Sequence, residues 1–363
     1  MATALLPSRP SRITLKAVHG QNKANLTGPR SAQVDVLRVG ACLAVIFLHL
    51  SATIVMDQEF FGTVDWHISN AIDAATRWCV PVFVMLSGSL LLDPQRHVSP
   101  RAFWQKRISR LLPAILVWQA VYFAWRALYW HQPMSLRIIA HDVVIGRPYI
   151  HLYFLYLIAG LYVVTPFLAR TLRVLTLPQI RQLILLIAGL TIGANVIDFL
   201  GSSAFTIFVP YLAYYLAGWY CAQVPVSRPG GYALVLAVGV IIITVSTALL
   251  VAAFGFDDRW SFYFYEDFNP VVMLTAVAVF LFTLNREMPP VVHALAKRLA
   301  PWTLGVYLAH PIVVELLRYG YYVSAPTLLR PPYYVPVTFL ATCILTFGLV
   351  AFMHQVPGLR RIV

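Results

Sequence analysis

Apolar residues fall in long runs along this chain, separated by short polar or basic connections. Ten such runs stand out, at approximately 36–55, 73–92, 111–129, 151–169, 182–200, 206–223, 232–254, 270–284, 302–319 and 334–353. About 20 consecutive apolar residues make a helix long enough to cross a bilayer. The pattern therefore predicts an all-α polytopic membrane protein, a bundle of about ten transmembrane helices. It divides the chain into a disordered basic tail at 1–34, a membrane domain at 35–355 and a short tail at 356–363. Roughly 200–210 residues are assigned to the bilayer, which leaves loops and tails but no soluble catalytic domain. Any chemistry is expected from the bundle itself. Residues 1–34 contain no apolar run of the length a secretory signal requires. The chain shows no repeat at a fixed period and no inverted similarity between its halves, the symmetry common in secondary transporters.

Composition sharpens this picture by exclusion. Of the 363 residues, 60% are hydrophobic and 11% charged. Soluble domains carry roughly 25% charged residues, so a soluble enzyme is excluded, as is a disordered or collagen-like chain. The four cysteines, Cys42, Cys79, Cys221 and Cys343, all lie inside apolar runs without C-x-x-C spacing. They read as buried free thiols. The ten histidines show neither H-x₃-H nor H-E-x-x-H spacing, so no metal site is expected.

The charge distribution gives orientation. The formal net charge is +13. Basic residues gather in the first 34 residues, in the second-to-third connection (Arg96, Arg101, Lys106, Arg107, Arg110), in later even-numbered connections and at Arg360 and Arg361. Acids such as Asp57, Glu59, Asp65, Asp257, Asp258 and Glu266 fall on the other face. By the positive-inside rule, an even number of spans puts both termini in the cytoplasm. The basic excess is thus a topology signal, and nucleic acid is not an expected partner.

Charged residues inside spans cost roughly 2.5–3.5 kcal/mol or more at the helix centre, so each calls for a reason. The first span is the most informative. Arg38 and His49 are separated by three helical turns and about 20°, which puts both on one face about 16 Å apart. Arg38 alone reads equally well as a snorkelling interfacial arginine. His49, past the membrane middle, reads as a helix–helix hydrogen bond or as a functional group, and the pair together points to a shared polar cavity. In Lys106-Arg107-Ile108-Ser109-Arg110, the two arginines at i and i+3 are neighbours on one helical face. They suit a phosphate-rich anion, while plain positive-inside charge explains them equally well. Ser87-Gly88 in the second span permits close helix approach. In Tyr307-Leu308-Ala309-His310-Pro311, the proline should kink the helix and free a carbonyl, turning His310 and Glu315 toward the interior. His151 opens the fourth span, and Asp198 ends the fifth.

Taken in order, these segments resemble the acyltransferase-3 family of integral-membrane acyltransferases. The resemblance covers residues 35–353. It rests on a basic residue, ten residues and a histidine (Arg38, His49), on Arg-x-x-Arg (Arg107, Arg110), and on the segments around Ser87-Gly88, His151–Pro166 and Tyr307–Pro311. Many relatives carry Trp where this chain has Tyr153. The resemblance implies transfer of an acyl group, usually acetyl from acetyl-CoA, to a carbohydrate hydroxyl. It places the catalytic histidine at His49 and donor-binding arginines at Arg38, Arg107 and Arg110, with Ser87, His151 and His310 as supporting residues. Acetyl-CoA is then a co-substrate, with no resident cofactor and no metal.

In size the chain is similar to stand-alone polysaccharide O-acetyltransferases of the xanthan type. That likeness implies a glycan or lipid-linked oligosaccharide acceptor for surface or exopolysaccharide, a polysaccharide-assembly complex as partner, and the bacterial cytoplasmic (inner) membrane as location. The rival class is a transporter or flippase for a sugar or lipid-linked glycan, since ten spans with buried His, Asp and Glu fit it as well. Acyl-donor consumption separates the two.

Overall fold

The computed structural model describes residues 29–93, 99–197, 203–224, 229–324 and 334–363. These residues form helices and turns, with no strand among them. The helices are α1 (Pro29–Val55), α2 (Val64–Thr76), α3 (Cys79–Leu91), α4 (Pro100–Leu128), α5 (Leu136–Ile145), α6 (Tyr153–Val174) and α7 (Leu177–Val196). They continue with α8 (Leu212–Gln223), α9 (Pro229–Phe254), α10 (Pro270–Leu284), α11 (Pro290–Leu299), α12 (Thr303–Ser324) and α13 (Tyr334–Gln355). Their starts follow local chemistry. Ser99 caps α4 by accepting from the Ala102 amide ahead of Pro100, and Asn269 caps α10 by accepting from the Val271 amide ahead of Pro270. Residues 1–28 and Asp198 lie outside the described residues. The first helix starts at Pro29, inside the segment expected to be tail.

Among the described residues, nine helical segments are long and apolar enough to cross a membrane. The polytopic all-α architecture is therefore as expected, but one of the ten expected spans is missing from that set. Segment 206–223 is helical only over Leu212–Gln223, and turns occupy its first part. A 12-residue helix reaches about 18 Å, short of the hydrocarbon core. Its surroundings explain why this is tolerated. Tyr214, Tyr215, Leu216 and Trp219 are buried in protein, so α8 itself is walled by its neighbours, while Phe205 and Val209 in the turns before it are exposed.

The second expected span, 73–92, also breaks. Arg77 and Trp78 separate α2 from α3, and the two helices together make one crossing.

α3 and α8 are the most intimate pair. A Cβ on Gly88 would strike the backbone carbonyl of Tyr215, and one on Gly218 would strike that of Met85. Each glycine thus admits the other helix's backbone, the role expected of Gly88. This contact fixes α3, and with it Ser87 and Phe83, against the centre of the bundle.

α1 lies in the middle, packed on α2, α3, α11, α12 and α13. Its first third meets the α10–α11 connection and the start of α12: Gln33 Nε2 donates to the Arg286 carbonyl at 3.4 Å, and Cys42 Sγ to the Thr303 carbonyl at 3.6 Å. The C-terminal residues come back to the same end. Trp118 Nε1 donates to the Ile362 carbonyl at 2.8 Å, and Val363 abuts Gly305. The segment 356–363 is therefore packed onto the bundle, and both ends of the described chain sit at one end of it.

Candidate functional site

The candidate site is built on α1 and α12. α1 is one uninterrupted helix from Pro29 to Val55, so Arg38 and His49 share a face as their spacing requires. They do not, however, line a single cavity. Arg38 lines a cavity of about 330 Å³ at the end of the bundle where the chain ends meet, together with Ser87, Tyr162, Thr303 and Tyr307. His49 lines two lobes toward the opposite end. One, of about 580 Å³, includes Tyr129, Trp130, Glu315 and Tyr319. The other, of about 610 Å³, includes Arg77, His151, Tyr153, Asp267 and Tyr307.

Tyr307 is the residue common to the Arg38 cavity and the His49 lobe. Its hydroxyl donates to the His151 carbonyl at 2.7 Å, which holds the ring between the two spaces. The shared cavity expected from the Arg38–His49 face is thus two spaces meeting at a phenol. The sequence gives spacing along one helix, whereas the divider comes from another helix.

Pro311 has the predicted consequence. Lacking an N–H, it leaves the Tyr307 carbonyl without its helical partner. His310 Nδ1 lies 2.8 Å from that carbonyl and 3.2 Å from the Val306 carbonyl. A carbonyl only accepts, so Nδ1 carries the hydrogen and, in the neutral ring, Nε2 keeps its lone pair. That Nε2 is buried and has no hydrogen-bond partner among the described residues. The next carbonyl, of Leu308, accepts from the Tyr122 hydroxyl at 2.7 Å. The carbonyl freed by Pro311 therefore holds the His310 ring in place, and in the neutral ring Nε2 offers its lone pair.

Three histidines meet there. The His49 and His310 ring centroids are 5.1 Å apart, and those of His151 and His310 are 5.7 Å apart. His151 and His310 are fully buried, whereas His49 is partly open to its two lobes. Tyr122 and Tyr307 pack against His151 at centroid distances of 4.8 and 5.5 Å. Among the described residues no cluster of three His, Cys, Asp or Glu is arranged to hold a metal ion.

The other expected site residues divide. Ser87 lines the Arg38 cavity, although its hydroxyl donates within its own helix to the Phe83 carbonyl at 2.9 Å. Arg107 stands behind Tyr162, its guanidinium 5.7 Å from that ring's centroid and 5.7 Å from the Phe103 ring. The Tyr162 hydroxyl lies within electrostatic reach of Arg107, Arg110 and Arg38 together. Arg110 is exposed, and it does not line the cavity. The structure thus gathers the three arginines around Tyr162 and puts only Arg38 on the cavity wall.

This geometry agrees with the sequence as a whole. The family model of the acyltransferase-3 family, described as an acyltransferase domain, matches residues 31–351. The chain belongs to the acyltransferase-3 family. No curated protein and no solved structure matches it.

Several residues of this membrane acyltransferase escaped sequence reasoning. Tyr307 is the foremost. Asp73 and Arg77 form a buried pair in which Asp73 also accepts from Ser51 Oγ at 3.3 Å. Arg77 stacks 3.8 Å over the Tyr265 ring and faces the His49 lobe. Asp267 accepts from the Tyr211 hydroxyl at 2.5 Å in the same lobe. The i, i+4 spacing of Asp73 and Arg77 is a readable signal. The Asp267–Tyr211 bond joins distant segments and leaves no local signal. Glu315 does face the interior, and its carboxylate accepts from Trp125 Nε1 at 2.5 Å, Trp130 Nε1 at 3.1 Å and the Tyr149 hydroxyl.

Proposed function

We propose that this acyltransferase moves an acetyl group from acetyl-CoA to a hydroxyl of a surface or exopolysaccharide sugar, with His49 as the base. The observation that carries the proposal is the pair of spaces meeting at Tyr307, one walled by a guanidinium and the other by an imidazole. An acyl transfer between a polyanionic donor and a polyol needs such a pair of sites and a reacting centre between them.

Acetyl-CoA is a cytoplasmic polyanion, and the positive-inside reading turns the Arg38 end of the bundle toward the cytoplasm. Arg38, Arg107 and Arg110 supply forked donors for its phosphates at the entrance. The pantetheine arm is long and thin and enters beside Ser87 toward Tyr307. The acceptor occupies the His49 side, where Arg77, Asp267 and several tyrosines offer donors, acceptors and aromatic faces to a sugar.

The chemistry then follows in balanced steps. The His49 imidazole takes the proton of the acceptor hydroxyl as its oxygen attacks the thioester carbonyl. The tetrahedral adduct collapses, the C–S bond breaks, and the CoA thiolate leaves. The proton held by the imidazole passes to that sulfur, so products are the acetyl ester and free CoA. General-base action of this kind contributes typically 10²–10⁴-fold. His310 packs against His49 at a ring-centroid distance of 5.1 Å, with its Nε2 unbonded among the described residues beside the base. A covalent acetyl-histidine is the alternative route, in which His49 Nε2 or Nδ1 attacks first.

The test uses the purified chain with radiolabelled acetyl-CoA and the host glycan. Label should enter the glycan, and His49→Ala should abolish that transfer while the protein remains monodisperse. Solute flux without acyl consumption would instead establish the transporter class. Label trapped on the wild-type protein, and absent from His49→Ala, would select the covalent route.

A further inference from the structure

The chain from the end of α4 to the start of α6 builds a fourth space beside the His49 lobes. It holds about 430 Å³ and is lined by Arg126, Trp130, Gln132, Asp142, Arg147 and Tyr149. Sites for small ligands measure roughly 300–1,000 Å³. This space adjoins both lobes. Arg147 lines it and the lobe of Arg77, and Trp130 lines it and the lobe of Glu315. Arg147 is exposed, so the fourth space and the Arg77 lobe meet across an open side chain and not through packed core.

Its walls are fixed in place. Arg126 donates from Nε to Gln132 Oε1 at 2.8 Å, and from Nη1 to Asp142 Oδ2 at 2.5 Å and to the Pro148 carbonyl at 3.1 Å. One guanidinium thus ties three parts of the wall together. His131, beside Gln132, has φ 50°, in the left-handed region that a side chain seldom adopts. Gly146 supplies φ 78° just before Arg147, whose amide donates to the Asp142 carbonyl at 2.9 Å. A left-handed residue other than glycine is strained, and such strain gathers at binding sites. Trp130 is 49% exposed while its Nε1 donates to Glu315 at 3.1 Å, which sets the orientation of the ring.

The groups left over define the ligand. Gln132 Oε1 is taken by Arg126, but its Nε2 makes no bond among the described residues. Arg147 forms no ion pair among them. The Asp142 carboxylate keeps lone pairs beyond those facing Arg126 and His141. The space therefore presents free donors, an acceptor and an aromatic face. An anion would meet the Asp142 carboxylate, and a cation would meet two guanidiniums. A hydroxyl both donates and accepts, and a pyranose ring adds apolar C–H faces that suit an indole. The Arg126–Asp142 pair joins the two connections in its own right, and the groups turned to a ligand are Trp130, Gln132 and Arg147.

We propose that this space is a second sugar subsite, which holds the unit of the acceptor glycan joined to the one that meets His49. This deepens the acyl-transfer reading and rests on it. Arg147, on the wall common to both spaces, stands beside the linkage between the two units. The acceptor is then at least a disaccharide. The glycosyl transfer that adds the neighbouring unit therefore precedes acetylation.

The test uses the full chain in phosphatidylcholine nanodiscs, radiolabelled acetyl-CoA, and one-sugar, two-sugar and longer fragments sized from chemically deacetylated host glycan. The kcat/KM for label transfer should rise at least tenfold from one sugar to two. Gln132 lines the fourth space and neither lobe. Gln132→Ala should lower kcat/KM for the two-sugar fragments about fivefold, through KM, and leave the value for one sugar unchanged. Gln132→Trp, whose indole fills the space, should remove the gain from the second sugar altogether. Gln132 is exposed, so both variants should insert and fold. Equal rates with one sugar and with two, or variants that change all lengths alike or none, overturn the subsite and leave acyl transfer standing. Binding of the fragments is measured on the same discs without donor. Tighter binding of two sugars than of one, weakened by Gln132→Ala, in discs that transfer no label keeps the subsite and removes acyl transfer. Fragments that neither bind nor accept label overturn both.

Discussion

The Arg38 cavity and the His49 lobes are built from the same two helices, α1 and α12, yet they are opposites in character. The first is the smallest of the three spaces, with one cation on its wall and aliphatic and aromatic side chains around it. The second pair is larger and crowded with groups that donate, accept or stack. A narrow space with charge confined to its mouth selects a long thin substrate with an anionic end. A broad space with scattered polar groups selects something many-sided. On the proposed reading, specificity for donor and acceptor is separated along the bundle, with the reacting groups at the boundary.

Removing the base should break this arrangement most completely. His49→Ala is expected to lose 10²–10⁴-fold in acetyl transfer, read as label incorporated per minute, with an unchanged size-exclusion profile. Equal activity in that variant would move the chemistry away from the lobes.

Close behind comes the donor cavity. Arg38→Ala should raise the KM for acetyl-CoA by about 10–100-fold, the range for a hydrogen bond to a charged group, with a smaller change in kcat. Arg110→Ala, at an exposed position off the cavity wall, should change KM much less. The ranking Arg38 over Arg110 is what the geometry adds to the sequence motif, and the reverse order would refute it.

Tyr307 sharpens the comparison by erasing it. Tyr307→Ala should join the two spaces and let water reach the thioester, so acetyl-CoA hydrolysis without acceptor should rise several-fold as transfer falls. Tyr307→Phe keeps the divider and loses only the bond to the His151 carbonyl, at a cost of about 0.5–1.5 kcal/mol in stability.

His310 offers a subtler separation. Asn can still donate to the Tyr307 carbonyl as Nδ1 does, but it offers no imidazole lone pair beside His49. If His310 serves only to take up the freed carbonyl, His310→Asn should keep both stability and transfer. The position of Nε2 leads us to expect normal thermal stability with transfer reduced about tenfold, within the usual range of acid–base contributions.

The smallest effect should come from outside the membrane core. Burial would raise the Asp142 carboxyl, but the Arg126 guanidinium, bonded at 2.5 Å, together with His141, outweighs it and holds the group below the ordinary carboxylate range. The carboxylate therefore favours the folded state above its usual range, and that contribution fades as pH falls through its depressed value. Asp142→Asn should lower thermal stability by about 0.2–1 kcal/mol at neutral pH, and less in acid. Tryptophan fluorescence melts at the two pH values read the difference.

Much of this protein was legible from residues alone. The apolar runs announced a helical membrane bundle, because lipid leaves a chain few other ways to satisfy its backbone. The spacing of Arg38 and His49 put them on one face because a helix has a fixed twist. Gly88 announced a close approach and Pro311 a freed carbonyl; Gly88 meets the Tyr215 backbone, and the Tyr307 carbonyl is taken up by His310. Helical period also explains why Arg107 and Arg110 adjoin.

Other features depended on which segments met, and those no local pattern records. That 206–223 would shorten to a buried helix was decided by the protein packed around it. That Arg38 and His49 would line separate spaces was decided by Tyr307, brought in by α12 and tied to the His151 carbonyl. The Asp267–Tyr211 and Glu315–Trp125 bonds join segments far apart in the chain. Sequence determined the solvent, the helices and the faces, since these follow from composition and period. Tertiary structure decided the cavities, since a cavity is the space left between helices, and its shape belongs to none of them singly.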